Sequence, residues 1–219
     1  FVEAVAQQAV KSTAADMDAF MAENWIEDNA KTVQEALIDK IAVIGEKLSI
    51  RRFEKVEATD GFAVSYVHGG GRIGVIVEAA SDVVNDAVKE AMTNIAMQVA
   101  ALAPKYVATG DVSEEYKAHE KEIIAAQIAL DPKMAGKPEK VIDGAIIGRL
   151  NKELKEVCLL EQVYVKAEDG KQTVAQYIAQ VGKENNANLS IKKFVRFETG
   201  EGLEKKSEDF AAEVAAQMK

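Results

Sequence analysis

The sequence predicts an α+β fold of two subdomains, each with a small antiparallel three-stranded sheet covered by helices. Three observations support this prediction. Apolar stripes with helical spacing recur along most of the chain. Two short strand patterns flank a run of three glycines, and another strand pattern occurs near residue 190. We expect the first sheet to be incomplete here, and an antiparallel helical hairpin to protrude from the second subdomain.

The predicted subdomain boundaries follow the order of these elements. They are residues 1–58 for a remnant of the first core subdomain, 59–112 with 184–205 for the second, 113–183 for a helical hairpin insertion, and 206–219 for a C-terminal helix module.

Residues 1–46 are predicted to be helical. One helix covers the first residues and a second covers residues 15–29. A third starts at Thr32, since Glu35 three positions later completes a capping-box pattern. Its apolar stripe, which must pack on something, consists of Val33, Leu37, Ile41 and Ile44. Gly45 ends or nearly ends this helix. Residues 48–56 alternate in polarity and are predicted to form a strand.

Residues 62–68 and 72–78 are predicted to form a hairpin. The linking glycines Gly69, Gly70 and Gly71 readily adopt the positive φ angles that such a turn requires. The second strand is apolar on both faces, so we place it at the centre of its sheet. Residues 189–198 are predicted to add a third strand.

The remaining elements are predicted to be helices. Ser81 or Asp82 caps one that Pro104 closes, and residues 113–130 and 138–157 form the two arms of the hairpin. Residues 173–181 form a short helix, followed by a polar loop over residues 182–188. The last helix, over residues 207–218, presents Phe210 and Val214 at a spacing that suits either a core or a partner groove.

Composition narrows the function classes. The net charge is −9 and the pI about 4.9, which argues against nucleic acid as the main partner. Apolar runs are far shorter than the roughly 20 residues that span a bilayer. The only cysteine, Cys158, excludes a disulfide within the chain and a cysteine-rich metal site, as expected in a reducing cytoplasm. We expect it to be a small buried residue, with an intermolecular disulfide or a reactive thiol as alternatives.

Residue patterns that carry chemistry are weak. His68 and His119 lack carboxylates at metal-ligand spacing, so we expect hydrogen-bonding or partner-contact roles. His68 and the three glycines resemble a hydrolase oxyanion loop, but no Gly-x-Ser-x-Gly pattern occurs. No phosphate-binding pattern is present either. We therefore predict no catalytic residue, cofactor or metal.

Five segments, in order along the chain, resemble the elongation factor Ts family. They are IGEKLSIRRF (44–53), YVHGGGRIGVIV (66–77), IAMQVAA (95–101), CLLEQVYVK (158–166) and VRFETGEGLEKKSEDFAAEVAAQ (195–217). The family's Thr-Asp-Phe-Val motif, whose Asp-Phe pair enters the GTPase domain of the partner, does not occur in this sequence. Because the chain starts at Phe1, we expect it to be a processed product or a piece of a longer protein.

The resemblance implies a guanine nucleotide exchange factor that binds elongation factor Tu in its GDP-bound and nucleotide-free forms. The implied contacts are Ile44 and Gly45, His68 with its turn Gly69, Gly70 and Gly71, and the last helix through Phe210 and Val214. Since the Asp-Phe pair is missing, we expect this chain to bind the partner but to accelerate GDP release poorly. The alternative is a structural module that forms a homodimer through the hairpin helices.

Overall fold

A computed structural model describes residues 1–203. The chain divides into two compact units, unit 1 over Phe1–Glu57 and unit 2 from Ala58 onward. The described residues contain helices and two small antiparallel sheets, of two and three strands, which confirms the predicted α+β class. The finer division of the second unit remains a prediction. In residues 1–203, every helix is too short or too polar to cross a membrane.

Unit 1 has three helices and one strand pair. The elements are α1 (Val2–Lys11), α2 (Met17–Ala22), β1 (Asn24–Trp25), β2 (Asp28–Thr32) and α3 (Val33–Ile44). The predicted capping box is present: the Thr32 amide donates to the Glu35 carboxylate over 2.7 Å, and the Glu35 amide donates to Thr32 Oγ1 over 3.2 Å. Gly45 ends α3 with φ 77°, as predicted.

The helix predicted over residues 15–29 is wrong beyond Ala22. The Glu23 carboxylate accepts hydrogen bonds from Gln8 and Ser12, and its backbone is extended. The Glu23 carbonyl accepts from the Val33 amide at the start of α3. These bonds to distant residues turn the chain out of the helix into the β1–β2 pair.

The strand predicted over residues 48–56 is also wrong, since these residues form no strand. The first sheet therefore has two strands in the described residues. Side-chain packing holds the segment: Ile50 and Phe53 pack against the core of unit 1, and the rings of Phe53 and Phe20 are 4.7 Å apart. A strand requires a neighbouring backbone to pair with, whereas apolar packing does not.

Unit 2 is built on a three-stranded sheet in the order β3 (Gly61–His68), β4 (Ile73–Ala80) and β5 (Ser190–Glu198). Both pairings are antiparallel, which confirms the predicted hairpin, its central second strand and the third strand. The buried face of β4 carries Val75, Val77 and Ala79. These residues pack in one core with helices α4 (Asp86–Leu102) and α7 (Val174–Asn185).

Two helix ends in unit 2 differ from prediction. Asn85, not Ser81 or Asp82, caps α4 by accepting from the Val88 amide over 2.9 Å. Ser81 instead hydrogen-bonds to Val83, and Asp82 accepts from Asn188.

Helix α7 continues to Asn185, so the prediction that a polar loop starts at residue 182 is wrong. Val181 and Gly182 are buried on the core side of the helix, and this packing favours the additional turn. Asn186, in the left-handed conformation with φ 50°, ends it.

Helices α5 (Glu114–Ala129) and α6 (Glu139–Val157) form the predicted hairpin and have a core of their own. Ile124 and Ile128 of α5 pack with Leu150 and Leu154 of α6. Cys158 is buried in the same cluster. The Leu159 amide donates to the Tyr106 carbonyl over 2.9 Å, which ties the hairpin to the chain that follows α4.

Candidate partner-binding surfaces

The C-terminal half of α3 exposes a group of apolar side chains. The stripe predicted for this helix is buried only at its start, at Val33 and Leu37. Ile38, Val43 and Ile44 are 52%, 82% and 54% exposed. Single exposed apolar residues are common, whereas several in one half of a helix form a candidate contact surface. We call Ile38, Val43, Ile44 and Gly45 the α3 end.

The backbone at Gly45 is unobstructed. Its amide donates to the Ile41 carbonyl over 2.8 Å, and its φ of 77° turns the backbone away from the helix. No neighbouring atom lies within 4 Å of the position that a Cβ would take. A partner backbone can therefore approach this point closely.

The second surface is the glycine turn between β3 and β4, residues His68 to Arg72. Gly69, Gly70 and Gly71 have φ values of 60°, 66° and 96°, which side-chain-bearing residues rarely adopt. All five residues of the turn are exposed. The Arg72 amide donates to the His68 carbonyl over 3.1 Å. The turn thus presents backbone groups without side chains at its tip.

The end of β5 holds the glycine turn in place. The Arg72 carbonyl accepts hydrogen bonds from the Thr199 amide over 2.8 Å and from Thr199 Oγ1 over 3.1 Å. These bonds connect the turn to the residue that directly follows β5, so the turn is held by contacts besides those of its own hairpin.

The ring of His68 is in hydrogen-bond contact through its Nδ1 atom. The Tyr66 hydroxyl lies 2.9 Å from His68 Nδ1, and the two rings are 5.9 Å apart. In residues 1–203, no three histidine, cysteine or acidic side chains lie close enough together to hold a metal ion. The contact with Tyr66 agrees with the hydrogen-bonding role expected for this histidine.

Cys158 is buried, as expected for a small apolar residue. Burial raises the pKa of its thiol, and the nearby carboxylates of Glu161 and Asp111 raise it further. A thiol in such surroundings is a poor nucleophile.

The predicted contact residues that the structure describes fall into two places. Ile44 and Gly45 adjoin each other in unit 1, and His68 with its three glycines forms one turn in unit 2. Phe210 and Val214 lie outside the described residues. Sequence reasoning missed Val43 and Ile38, which lie outside the apolar stripe that it recognised. It also missed Tyr66, although its i, i+2 spacing from His68 places both on one face of a strand.

The family model described as Elongation factor TS matches residues 1–201, which include both surfaces. The chain belongs to the elongation factor Ts family. It is 45% identical to Elongation factor Ts of Clostridioides difficile (strain 630) over 219 residues, 100% of this chain and 69% of that protein. It is 43% identical to Elongation factor Ts of Clostridium botulinum (strain Eklund 17B / Type B) over 218 residues, again 100% and 69%.

A third similar protein is Elongation factor Ts of Clostridium perfringens (strain 13 / Type A). It is 44% identical over 215 residues, 98% of this chain and 68% of that protein. These matches confirm the resemblance found in the sequence. As a member of the elongation factor Ts family, the chain has a role in translation elongation.

Proposed function

We propose that this chain is a guanine nucleotide exchange factor that binds elongation factor Tu and stabilises its nucleotide-free form in the cytoplasm. The observation that carries the proposal is the exposed apolar α3 end. Ile44 lies there beside the open backbone of Gly45, within the part that matches the family. A free apolar helix end next to unobstructed backbone suits protein binding better than catalysis on a small substrate.

Exchange of this kind needs no covalent chemistry. Elongation factor Tu holds GDP through interactions with its phosphates and Mg²⁺, so its release is slow. A protein that binds the nucleotide-free form more tightly than the GDP-bound form weakens GDP binding by the same factor, since coupling between two ligands is reciprocal. The factor therefore acts by differential binding to two forms of its partner.

Each proposed surface has a distinct part in this binding. Ile44 of the α3 end, exposed in the free chain, becomes buried in the complex as an apolar anchor. The glycine turn provides backbone groups and His68 for hydrogen bonds to the partner. Phe210 and Val214 of the C-terminal segment are proposed as further apolar anchors, following the resemblance.

Replacing Ile44 tests the apolar anchor. We expect Ile44→Ala to weaken binding to nucleotide-free elongation factor Tu by about 1 to 3 kcal/mol, the usual cost of truncating a buried interface anchor. Leu102→Ala is the matched control, because Leu102 also lies at the end of a helix and is 47% exposed. Isothermal titration calorimetry measures both. Equal affinity of Ile44→Ala and wild type would show that Ile44 is not an anchor.

Release of a fluorescent GDP analogue from elongation factor Tu tests the exchange activity. We expect release to be faster with the chain than without it, but only weakly so, because the resemblance assigns the entry into the GTPase domain to a Thr-Asp-Phe-Val motif that this sequence does not contain. Binding without any acceleration would favour an interaction module without exchange activity, and no binding at all would refute the proposal.

A homodimer through the hairpin is the second candidate. Val141 and Ile147 of α6 are half exposed, and Ile147 lines an open groove of about 560 Å³ between α5 and α6. Sedimentation of the chain with and without elongation factor Tu distinguishes the two proposals. The homodimer proposal would be supported if the chain forms a concentration-dependent dimer, if Ile147→Ala disrupts that dimer, and if no complex with elongation factor Tu forms.

A further inference from the structure

Tyr66 and His68 occupy neighbouring positions on the same face of β3. Tyr66 pairs with Val75 and His68 with Ile73 across the hairpin. The Tyr66 hydroxyl lies 2.9 Å from His68 Nδ1, within hydrogen-bond distance. The contact lies at the end of the strand, where the glycine turn begins.

The two residues differ in how firmly they are held. Tyr66 is half-buried and packs against the main core of unit 2, and Val75 opposite it is buried. His68 is exposed at the edge of the turn. The core therefore fixes the tyrosine, and the tyrosine restricts the orientation of the exposed imidazole.

We propose that Tyr66 is a positioning residue: its hydroxyl donates to His68 Nδ1, so that Nε2 carries the proton and donates to an oxygen acceptor on the partner GTPase. A neutral imidazole has one donor nitrogen and one acceptor nitrogen, so a donor at Nδ1 selects the Nε2–H form. This inference rests on the proposed function, which makes the turn a partner-binding surface.

The direction of this hydrogen bond follows from the chemistry of the two groups. A phenol is an effective donor because its oxygen shares electron density with the ring, which also makes that oxygen a weak acceptor. The unprotonated imidazole nitrogen is a good acceptor. The bond from Tyr66 to His68 is therefore favoured over the reverse.

The surroundings of His68 favour access to Nε2. Gly69, Gly70 and Gly71 have no side chains, and no atom lies within 4 Å of the Cβ positions of the last two. A partner oxygen can approach the outward side of the imidazole across this turn. A donor held in advance loses less conformational entropy on binding than a freely rotating one.

Nuclear magnetic resonance of the free chain tests the tautomer. The chain has only two histidines, so a His68→Ala spectrum assigns His68, and the exposed His119 serves as a reference. In mildly alkaline buffer, where imidazole is neutral, long-range ¹H–¹⁵N spectra should show His68 protonated at Nε2 more completely than His119.

Two variants complete this test. Tyr66→Phe keeps the ring and removes the hydroxyl, so its His68 should shift toward the mixture shown by His119. Tyr116→Phe removes a hydroxyl that contacts Lys105 instead and should leave His68 unchanged. Protonation of His68 at Nδ1 in the wild type, or no change in Tyr66→Phe, would overturn the inference.

Binding to nucleotide-free elongation factor Tu tests the consequence. Tyr66→Phe should raise the Kd about three- to tenfold, because an imidazole that is no longer held in advance loses more conformational entropy on binding. In a His68→Ala background the same change should have no further effect, whereas independent effects of the two variants would refute the positioning role. If wild type fails to bind, the proposed function and the docking role are both wrong, while the tautomer spectra still decide the Tyr66 contact.

Discussion

Gln98 donates a hydrogen bond of 3.2 Å to the side-chain oxygen of Gln162, and both residues are buried in unit 2. The same amide nitrogen of Gln98 donates to the Val163 carbonyl over 3.0 Å. The Gln98 oxygen accepts from the Val165 amide over 2.8 Å. This one side chain therefore ties α4 to the segment that leaves the helical hairpin.

The first prediction concerns this buried amide. Gln98→Leu should lower the free energy of unfolding of unit 2 by about 2 to 3 kcal/mol, because it leaves polar groups of residues 162–165 without their partner. Gln180→Leu is the control, since Gln180 is exposed and its side chain hydrogen-bonds to Gln172 and Glu184 at the surface. Urea denaturation followed by circular dichroism measures both. An equal effect of the two variants would contradict a structural role for the Gln98 bonds.

The second prediction separates stability from binding on α3. Leu37 is 5% exposed and Ile44 is 54% exposed, although both lie on one predicted stripe. Leu37→Ala should destabilise unit 1 by about 2 to 4 kcal/mol, as for other buried leucines. Ile44→Ala should change stability by about 0.5 kcal/mol or less, as for surface residues.

Trp25 fluorescence during urea denaturation measures the second prediction. Trp25 is the chain's only tryptophan and lies buried in the core of unit 1. A loss of stability in Ile44→Ala as large as in Leu37→Ala would assign Ile44 to the core.

The third prediction uses two glycines with opposite expected effects. Gly45 has φ 77°, so Gly45→Ala should cost about 1 kcal/mol although nothing obstructs the new methyl group. Gly144 lies inside α6 with open space around it, so Gly144→Ala should stabilise by about 0.5 to 1 kcal/mol. Urea denaturation, by Trp25 fluorescence for Gly45 and circular dichroism for Gly144, gives the signs. Destabilisation by Gly144→Ala would mean that its face of α6 is in contact with another surface.

The fourth prediction concerns acid stability. The Asp82 carboxylate accepts from the Asn188 amide over 2.7 Å and from its side chain over 2.6 Å, and these bonds lower the pKa of Asp82. A lowered pKa in the folded state contributes stability above the ordinary aspartate value, and this contribution disappears as the pH falls through the lowered pKa. The stability difference between wild type and Asp82→Ala should therefore be constant near neutral pH and shrink in acid.

Denaturation at several pH values measures this difference. Asp169→Ala provides a comparison, because Asp169 also has a lowered pKa but accepts only from the amides of nearby Lys171 and Gln172. A difference for Asp82→Ala that is independent of pH would show that the Asn188 bonds do not act through the charge of Asp82.

Local signals in the sequence predicted several features of the fold and the candidate site. The Thr32 and Glu35 pattern located the start of α3, and Gly45 located its end. The three glycines located the turn that carries His68. These features depend on dihedral preferences and on hydrogen bonds between residues a few positions apart, so a short stretch of sequence contains all the information they need.

Several features that depend on distant partners were predicted wrongly or missed. The sequence predicts Asp82 as a possible helix cap, but its carboxylate accepts a hydrogen bond from the amide of Asn188, 106 positions later. Residues 48–56 have the alternation of a strand, but the structure packs them by side chains alone. The apolar stripe on α3 is visible in the sequence, but the sequence does not indicate that Leu37 is buried and Ile44 is exposed.

By itself, the sequence determined the fold class, the family, and the local turns and caps of this protein. The tertiary structure decided which polar side chains satisfy one another, which apolar residues remain exposed, and that Tyr66 holds His68. The physical reason is range: backbone preferences act over a few residues, whereas burial and hydrogen-bond partnership depend on segments that meet only after the chain has folded.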